Sequence, residues 1–240
     1  MRKRDFKIFV DFDGTITIED VGDAIFSKFG EPEKVNNIIE NLLADKISSR
    51  KCWDDLCDCV GTVDKKNLED YISSHDIEPT FKSFVEFCDQ KGMELIVLSD
   101  GFDFYIDRLF GNAGLNGIKY YSNKLIIDDQ GRLNAFYPYY DAESPTSANC
   151  KKNHIINHSS DEDYTIYIGD GNSDKDAAQY CDFIFAKKDL ARFCSMERIS
   201  FYPFSSFYDV KNRINELLNK KNLKKRHQAL LKRKSAYLAE

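Results

Sequence analysis

The sequence lacks several features that would place it in a special class of proteins. It has no apolar run long enough to cross a membrane, and the apolar part of its basic N-terminus, MRKRDFKIFV, is too short for a signal peptide. It also lacks internal repeats and low-complexity linkers, and its net charge of -6 gives no sign of disorder or of general nucleic-acid binding. We therefore expect a cytoplasmic protein that binds neither a membrane nor nucleic acid.

Paired cysteines and metal-binding histidines are scarce as well. The seven cysteines are odd in number and show no paired spacing, which is typical of free thiols in a reducing compartment. Cys57 and Cys59 lie close in sequence, but a zinc site needs about four ligands and none of the four histidines is nearby. Buried cysteines on a helix are the simpler interpretation.

Short apolar runs alternate with helical patterns along most of the chain. With 240 residues and 42% hydrophobic content, the chain can form one large domain or one domain with an insert. The runs lack a polar alternate face, which is typical of strands covered on both sides by helices. The sequence therefore predicts an α/β fold with a doubly wound, Rossmann-like parallel sheet. Its strands are predicted at residues 7–10, 94–98, 164–168 and 182–186, with a weaker one at 199–202.

A long helical segment separates the first two predicted strands. It spans about eighty residues, far more than one crossover helix needs, and it carries apolar stripes at helical spacing. We predict a small helical cap domain at residues 15–79, inserted after the first strand of a core formed by residues 1–14 and 80–240. The later segment LIIDDQGRLNAF, within residues 124–136, has the pattern of a β-hairpin instead.

Polar residues follow the apolar runs where the strands are expected to end. In IFVDFDGTIT, Asp11 and Asp13 come directly after the first strand, SDG follows the second, and GDGNSD follows the third. A fourth polar segment, CKKNHII, lies at an expected helix start. Ligands of open α/β sheets bind outside the carboxyl ends of the strands, so we expect these segments to converge.

The chemistry of this convergence points to phosphate and a cation. Asp11, Asp13 and Asp170 supply hard oxygen ligands, which suit Mg²⁺. Ser99, a lysine and glycine-rich turns supply hydroxyl, ammonium and backbone N–H groups, which suit a phosphate dianion.

These four segments, in this order, resemble the four motifs of the haloacid dehalogenase-like phosphatases. The helical insert resembles the cap of the phosphoserine-phosphatase-like branch, and SDGFDFYI together with the Cys-Lys before NHII is most similar to the methionine-salvage enol-phosphate phosphatases. The resemblance covers most of the chain, to about residue 218. It implies an Mg²⁺-dependent hydrolase of a small phosphorylated metabolite, working through an aspartyl-phosphate.

The resemblance also implies a role for each matching residue. Asp11 is expected to be the nucleophile and Asp13 the general acid and base, with Lys151 as the catalytic lysine. Mg²⁺ is expected to be held by Asp11, the backbone carbonyl of Asp13, Asp170 and Asp174. The substrate is expected to contact Ser99, Asp100, Gly101, Asp20 and Asn172.

Several of these assignments have a competing interpretation in the sequence itself. Lys152 competes with Lys151, although Lys151 has the better spacing to the following apolar pair. Asp174 and Asp20 could each cap a helix instead. In the cap, Arg50 is a second candidate for a substrate contact, whereas Trp53 is better explained as a core residue.

The substrate and the C-terminus remain open at this stage. The leading substrate is a methionine-salvage-type enol phosphate, and phosphoserine or another small amino-alcohol phosphate is the alternative. A different class of function is an inactive module that binds a phosphometabolite or a partner. A homodimer is left open. Residues 211–240 hold ten Lys or Arg against two Asp or Glu, and a docked terminal helix is favoured over an RNA- or lipid-binding one.

Overall fold

The computed structural model describes residues 5–239. Within this range the strands form one seven-stranded sheet in the order β4-β3-β2-β1-β5-β6-β7. The pairing is parallel throughout except between β3 and β4, which form an antiparallel hairpin. The strands are β1 (Phe6–Val10), β2 (Glu94–Phe102), β3 (Lys119–Ile127), β4 (Leu133–Phe136), β5 (Tyr164–Gly169), β6 (Phe183–Ala186) and β7 (Tyr202–Pro203).

The apolar composition of the central strands explains why they are covered on both faces. β1 lies between β2 and β5, and Ile8, Phe9 and Val10 in it are fully buried. Successive side chains of a strand point to opposite faces, so both faces of β1 need a covering layer. The predicted α/β fold with a doubly wound parallel sheet is confirmed, and the predicted hairpin is present as β3 and β4.

Helices supply the two covering layers and the segment between β1 and β2. The helix α5 (Phe81–Lys91) is followed by Gly92, whose φ of 64° is the left-handed conformation that glycine adopts without strain. The helices are α1 (Val21–Phe29), α2 (Pro32–Leu43), α3 (Ser49–Val60), α4 (Lys65–Ile72), α5 (Phe81–Lys91), α6 (Asp103–Ala113), α7 (Lys151–Asn157), α8 (Lys175–Ala178), α9 (Lys188–Met196), α10 (Phe207–Asn219) and α11 (His227–Ala239).

The segment between β1 and α5 is helical, as the sequence predicts, and contains α1 to α4. Its apolar stripes face inward: Leu56 and Cys57 of α3 are buried, and so is Val35 of α2. The hairpin reaches this segment, since the N–H of Val63 donates to the carbonyl of Gly131 over 2.8 Å. The limits of the cap at residues 15–79 stay a prediction.

Two details of the sheet differ from the sequence prediction. The SDG segment was expected to be a loop, but β2 continues through it to Phe102, with a register shift against β3 between Leu98 and Phe102. The side-chain amide of Asn123 in β3 donates to the carbonyl of Asp100 over 2.6 Å and holds this irregular stretch in the sheet. β3 also begins earlier than the predicted hairpin, because its first residues pair in parallel with β2.

The basic C-terminal segment folds back onto the core. In α10, Ile214 and Leu217 are buried as expected. In α11, the guanidinium of Arg233 is buried and donates to Asp182, just before β6, over 3.2 Å. The C-terminal helix α11 is therefore docked on the rest of the protein, as the sequence favours. None of the helices described is both long and apolar enough to cross a bilayer.

Candidate active site at the carboxyl edge of the sheet

The carboxyl ends of β1 and β5 bring three carboxylates together. Asp11 directly follows β1, Asp170 directly follows β5, and Asp174 lies four residues further on, at the end of a short 3-10 turn. All three side chains are buried, and one oxygen of each lies within 4.8 Å of the others. Like charges this close repel in a buried environment, so the cluster needs cations beside it.

Lys151, the first residue of α7, supplies one of these cations. Its Nζ lies 2.6 Å from Asp11 Oδ1 and 2.8 Å from Asp174 Oδ1, and the residue is 3% exposed. Lys152 points elsewhere, since its Nζ lies 3.7 Å from Asp176 and the side chain is partly exposed. Of the two lysines that the sequence leaves open, the structure brings Lys151 into the cluster.

The charges of this group shift each other's protonation. Burial raises the pKa of Asp11 well above its usual range, the Asp174 carboxylate adds to this rise, and Lys151 opposes it. Burial lowers the pKa of Lys151, but Asp11 and Asp174 raise it by more, so the net shift is upward and the lysine remains a cation. Charges held this way in a dry site act strongly on a reacting anion.

Asp170 is held by a hydroxyl and a second lysine. Thr15 Oγ1 donates to Asp170 Oδ1 over 3.0 Å, and Lys188 Nζ lies 2.7 Å from Asp170 Oδ2. Lys188 begins α9 with a φ of 44°, and its Nζ also lies 3.5 Å from the carbonyl of Gly14. Its side chain is 56% exposed, so this cation borders on solvent whereas Lys151 does not.

The Asp174 carboxylate accepts hydrogen bonds that fix the loop after β5. Its Oδ2 accepts hydrogen bonds from the backbone N–H groups of Asp170 and Gly171, both over 3.0 Å. Its Oδ1 accepts from Tyr167 Oη over 2.6 Å, in addition to Lys151. The Asp174 side chain makes no capping bond to α8. Instead it orients the lysine and closes the turn after β5.

Asp13 lies beside this cluster with a separate set of partners. Its Oδ2 accepts from Tyr105 Oη over 2.7 Å and from Ser99 Oγ over 3.2 Å, and its Oδ1 accepts from the N–H of Val21 over 3.1 Å. Burial raises the pKa of the Asp13 carboxyl to about 6, while hydrogen bonds from Tyr105, from the backbone at Val21 and Gly22, and from Ser99 lower it. A carboxyl with this pKa can give up or accept a proton near neutral pH.

The three residues of SDG serve different parts of the structure. The Ser99 hydroxyl, which is fully buried, accepts from the N–H of Gly101 over 2.9 Å. Asp100 faces away from the cluster: its Oδ1 accepts from the N–H of Asn149 over 2.7 Å, and its Oδ2 accepts from the hydroxyl of Ser49. The Asp100 side chain therefore joins the start of α3 to the loop before α7.

Three further candidates for substrate contacts, Asp20, Asn172 and Arg50, are exposed. Asp20 caps α1, because its Oδ1 accepts from the N–H of Asp23 over 2.9 Å. Asn172 begins the 3-10 turn and is exposed. The guanidinium of Arg50 lies 4.3 Å from the ring centroid of Tyr140, on a loop of the core. None of these positions touches the cluster directly, and their roles as substrate ligands stay predictions.

Trp53 belongs to an aromatic group formed by α1, α3 and the end of β2, as expected of a core residue. Its ring centroid lies 5.6 Å from that of Phe26 in α1 and 5.0 Å from that of Phe102 at the end of β2. The far edge of the indole lies against Gly22, where a Cβ would come within 2.8 Å of it. This packing fixes the approach of α1 to α3.

The comparison with protein families decides where this chain belongs. A family model described as "Putative Phosphatase" matches residues 6–222. The chain belongs to this family. It is a haloacid dehalogenase-like phosphatase, and both the resemblance and the enzyme class predicted from the sequence are confirmed.

Curated relatives cover nearly the whole phosphatase. Pdp3-interacting factor 1 of Schizosaccharomyces pombe is 31% identical over 239 residues, covering 90% of this chain and 97% of that protein. Polyol phosphate phosphatase PYP1 of Saccharomyces cerevisiae is 29% identical, with 88% and 93% covered. A 2-hydroxy-3-keto-5-methylthiopentenyl-1-phosphate phosphatase of Bacillus cereus is 28% identical, with 90% and 98% covered.

Among solved structures, a phospho-aspartyl intermediate analogue of phosphoserine phosphatase matches the phosphatase with a TM-score of 0.67. The match covers 89% of this chain and 99% of that one at 17% identity, so it shows a shared fold.

The donor set of the phosphatase fits the Mg²⁺ ion that its family implies. Asp11, Asp170 and Asp174 present three carboxyl groups against the two ammonium groups of Lys151 and Lys188. The carboxyl groups outnumber the lysines, and their oxygens are the donors that a hard divalent cation prefers. The carboxylate of Asp13 is not part of the three-carboxylate cluster, and a contact through its backbone carbonyl stays a prediction.

Three side chains of the site were not predicted from the sequence. Tyr105 reaches Asp13 from α6, Tyr167 reaches Asp174 from β5, and Lys188 reaches Asp170 from α9. Tyr167 could have been suspected, because a tyrosine in a buried strand needs a partner for its hydroxyl. The positions of Tyr105 and Lys188 depend on packing between distant segments, and no local pattern indicates them.

Proposed function

We propose that the chain is an Mg²⁺-dependent phosphatase that hydrolyses a small-molecule phosphomonoester through an aspartyl-phosphate at Asp11. The observation that carries this proposal is the meeting of Asp11, Lys151 and Asp174 within hydrogen-bond distance, from three separate segments of the chain. The lysine is placed to neutralise charge on a phosphoryl group next to Asp11. Asp13 lies two residues further along the same turn, and its pKa suits proton transfer.

In the first half of the reaction, a carboxylate oxygen of Asp11 attacks phosphorus while the bond from phosphorus to the ester oxygen breaks. Asp13 gives its proton to that oxygen, so the leaving group departs as a neutral alcohol or enol. In the second half, Asp13 takes a proton from water, and the resulting hydroxide attacks the aspartyl-phosphate. The bond from phosphorus to the Asp11 oxygen breaks, which regenerates the Asp11 carboxylate and releases inorganic phosphate. Asp13 is then protonated again.

Positioning and charge neutralisation account for most of the catalysis in such a transfer. Lys151 is held between Asp11 and Asp174, so its ammonium cannot move away from the reacting carboxylate. Ser99 is placed to donate a hydrogen bond to a phosphoryl oxygen. Asp11, Asp170 and Asp174 would hold Mg²⁺, which when bound neutralises charge on the phosphoryl oxygens.

The cap and its neighbours make a small substrate the better expectation. α1 begins beside the site, since the N–H of Val21 donates to Asp13. The start of α3 is held at Asp100, close to Ser99. The starts of two helices thus lie beside the residues that would receive the phosphate group, which favours a small metabolite over a phosphoprotein. The relatives support an enol phosphate or a polyol phosphate, and the shared fold supports phosphoserine as a further candidate.

A panel of phosphorylated metabolites tests this function. It includes the methylthiopentenyl enol phosphate, polyol phosphates and phosphoserine, each assayed with and without Mg²⁺ alongside p-nitrophenyl phosphate. Release of phosphate that EDTA abolishes supports the proposal. Release that survives exhaustive chelation contradicts the metal, and the absence of any hydrolysis favours a binding module instead.

Trapping tests the covalent intermediate separately. Brief incubation with labelled substrate, followed by acid quenching, is expected to leave phosphate on Asp11 in a bond that hydroxylamine cleaves. The Asp11→Asn variant is expected to show neither label nor turnover, because its amide cannot form the aspartyl-phosphate. Wild-type turnover in Asp11→Asn would overturn the assignment of the nucleophile.

A further inference from the structure

Tyr105 is a buried tyrosine whose hydroxyl contacts the candidate general acid. The side chain is 1% exposed, and its Oη donates to Asp13 Oδ2 over 2.7 Å across 92 residues of sequence. This is the shortest of the three hydrogen bonds that Asp13 accepts from Tyr105, Ser99 and Val21. We propose that Tyr105 is a positioning residue, which fixes the Asp13 carboxylate in the orientation needed for proton transfer to the leaving group.

The tyrosine is itself held firmly. It lies in the first turn of α6, and its ring packs against Phe12 with the centroids 5.9 Å apart. A phenol has few rotatable bonds, so a buried ring places its hydroxyl with little freedom. Because Phe12 lies between Asp11 and Asp13 in the sequence, this packing ties the tyrosine to the same turn that carries both carboxylates.

Gly101 leaves the space that the tyrosine hydroxyl occupies. A Cβ at this position would lie 1.5 Å from Tyr105 Oη and 2.8 Å from Asp13 Oδ2. No side chain at position 101 is therefore compatible with the observed contact. The SDG segment therefore needs a glycine at this position, because a side chain there would clash with Tyr105 and Asp13.

Hydrogen bonds to both of its oxygens define the plane of the Asp13 carboxylate. Tyr105 and Ser99 share Oδ2, and Val21 contacts Oδ1. Without the tyrosine, Oδ2 keeps only the longer bond from Ser99 among these contacts, so the carboxylate can rotate. Misplacement of a catalytic group by about 1 Å can cost about 10²-fold in rate. The rate is expected to fall most for substrates whose leaving group depends most on protonation.

Tyr105→Phe tests this inference, which rests on the proposed function. Phenyl phosphate and p-nitrophenyl phosphate have nearly the same shape, but phenol is the poorer leaving group and depends more on protonation. We expect kcat/KM, which reports formation of the aspartyl-phosphate and not its hydrolysis, to fall by about tenfold for phenyl phosphate and by less than about twofold for p-nitrophenyl phosphate. Tyr120→Phe is the matched control, since its hydroxyl contacts Asp107 at an exposed position.

If Tyr105 serves folding alone, Tyr105→Phe is expected to lower kcat/KM equally for both substrates. That result overturns the inference while the phosphatase reaction stands. Binding of BeF₃⁻ at Asp11, measured by calorimetry, shows that the variant site is intact. If Tyr105→Phe does not fold, Tyr105→Met provides the second variant, because it also removes the hydroxyl while an adaptable side chain fills the buried space, and it is expected to produce the same difference between the two esters. A wild-type protein that hydrolyses neither these esters nor any metabolite of the panel overturns the proposed function and this inference with it.

Discussion

Lys188 and Asp170 form an ion pair at the solvent side of the carboxylate cluster, with Nζ 2.7 Å from Oδ2. Asp170 is one of the three carboxylates placed to hold a cation, so the lysine occupies one of its oxygens. Lys188 adopts a left-handed backbone conformation, with a φ of 44°. A residue other than glycine rarely adopts this conformation, and functional sites are among the places where it is tolerated.

This ion pair predicts competition between Lys188 and Mg²⁺. Lys188→Met removes a positive charge from Asp170, so Mg²⁺ is expected to bind severalfold more tightly. The effect is modest because the lysine is more than half exposed and its charge is screened. Calorimetric titration of the protein with MgCl₂, without substrate, measures the change. Lys152→Met is the control, because its ion pair with Asp176 lies outside the cluster. Equal affinities in wild type and Lys188→Met would rule out the competition.

The adjacent residues Lys151 and Lys152 allow a test of the catalytic cation. Lys151→Met leaves Asp11 and Asp174 without their shared ammonium, and kcat is expected to fall by about 10³-fold, the size of effect seen when a charge-stabilising donor is removed. Lys152→Met is expected to stay within about twofold of wild type. Steady-state assays with p-nitrophenyl phosphate measure both variants. A comparable loss in the two variants would contradict the assignment of Lys151.

A buried histidine behind the site predicts a pH dependence of stability. Nε2 of His154, in α7, lies 2.8 Å from Asn149 Oδ1, and Asn149 donates through its amide to the Ser99 carbonyl. Burial, together with the charge of His158, lowers the pKa of His154 to about 4. Its value in the unfolded chain is about 6.5. As the pH falls below 6.5, the unfolded chain therefore takes up a proton that the folded chain refuses, and the folded state loses stability until about pH 4.

Urea unfolding at pH 7 and pH 5 measures this effect. His154 is expected to contribute about 2 kcal/mol to the loss in the free energy of unfolding between the two pH values. In His154→Gln the loss is expected to be smaller by that amount. His227→Gln, at an exposed position of α11, should behave like wild type. If His154→Gln loses as much stability as wild type, the histidine is not held neutral by the fold.

The strands could be predicted from the sequence because their signal is local. Runs such as FKIFV and YTIYIG are apolar on both faces, and their polar continuations mark the edge where Asp11 and Asp170 meet. The parallel topology follows from the helices between them. For the same reason, the meeting of Asp11 and Asp170 near a lysine could be anticipated before the structure. The assignment of Lys151 and Asp174 to this site came from the resemblance to the family.

What could not be predicted depends on contacts between distant segments. The SDG stretch looks like a turn, but pairing between Phe102 and Asn123 keeps it in the sheet. Arg233 carries no local sign of burial, since it lies among Lys232 and Lys234 in a basic stretch. Its environment is set by a contact across 51 residues to Asp182. Such pairs have no periodicity in the sequence, so pattern analysis does not detect them.

That buried pair yields the last prediction. Arg233 and Asp182 have fully buried side chains, and the arginine also donates to Thr165 Oγ1 over 3.0 Å and to the carbonyl of Tyr180. Removing one partner leaves a buried charge unpaired, which typically costs about 3 kcal/mol or more. Arg233→Met is therefore expected to lower the free energy of unfolding by about 3 kcal/mol.

The control is Arg192→Met, because the Arg192 side chain is 79% exposed in its ion pair with Asp189. A surface pair contributes little, and a loss below about 1 kcal/mol is expected. Asp182 lies just before the start of β6, whereas Asp170 follows the opposite end of neighbouring β5. The kcat of folded Arg233→Met should therefore stay within about twofold of wild type. Urea unfolding and steady-state assays at a low denaturant concentration give both numbers. Equal losses in the two variants would show that α11 is not anchored by Arg233, and a stable but inactive Arg233→Met would show that this helix acts on the site across the sheet.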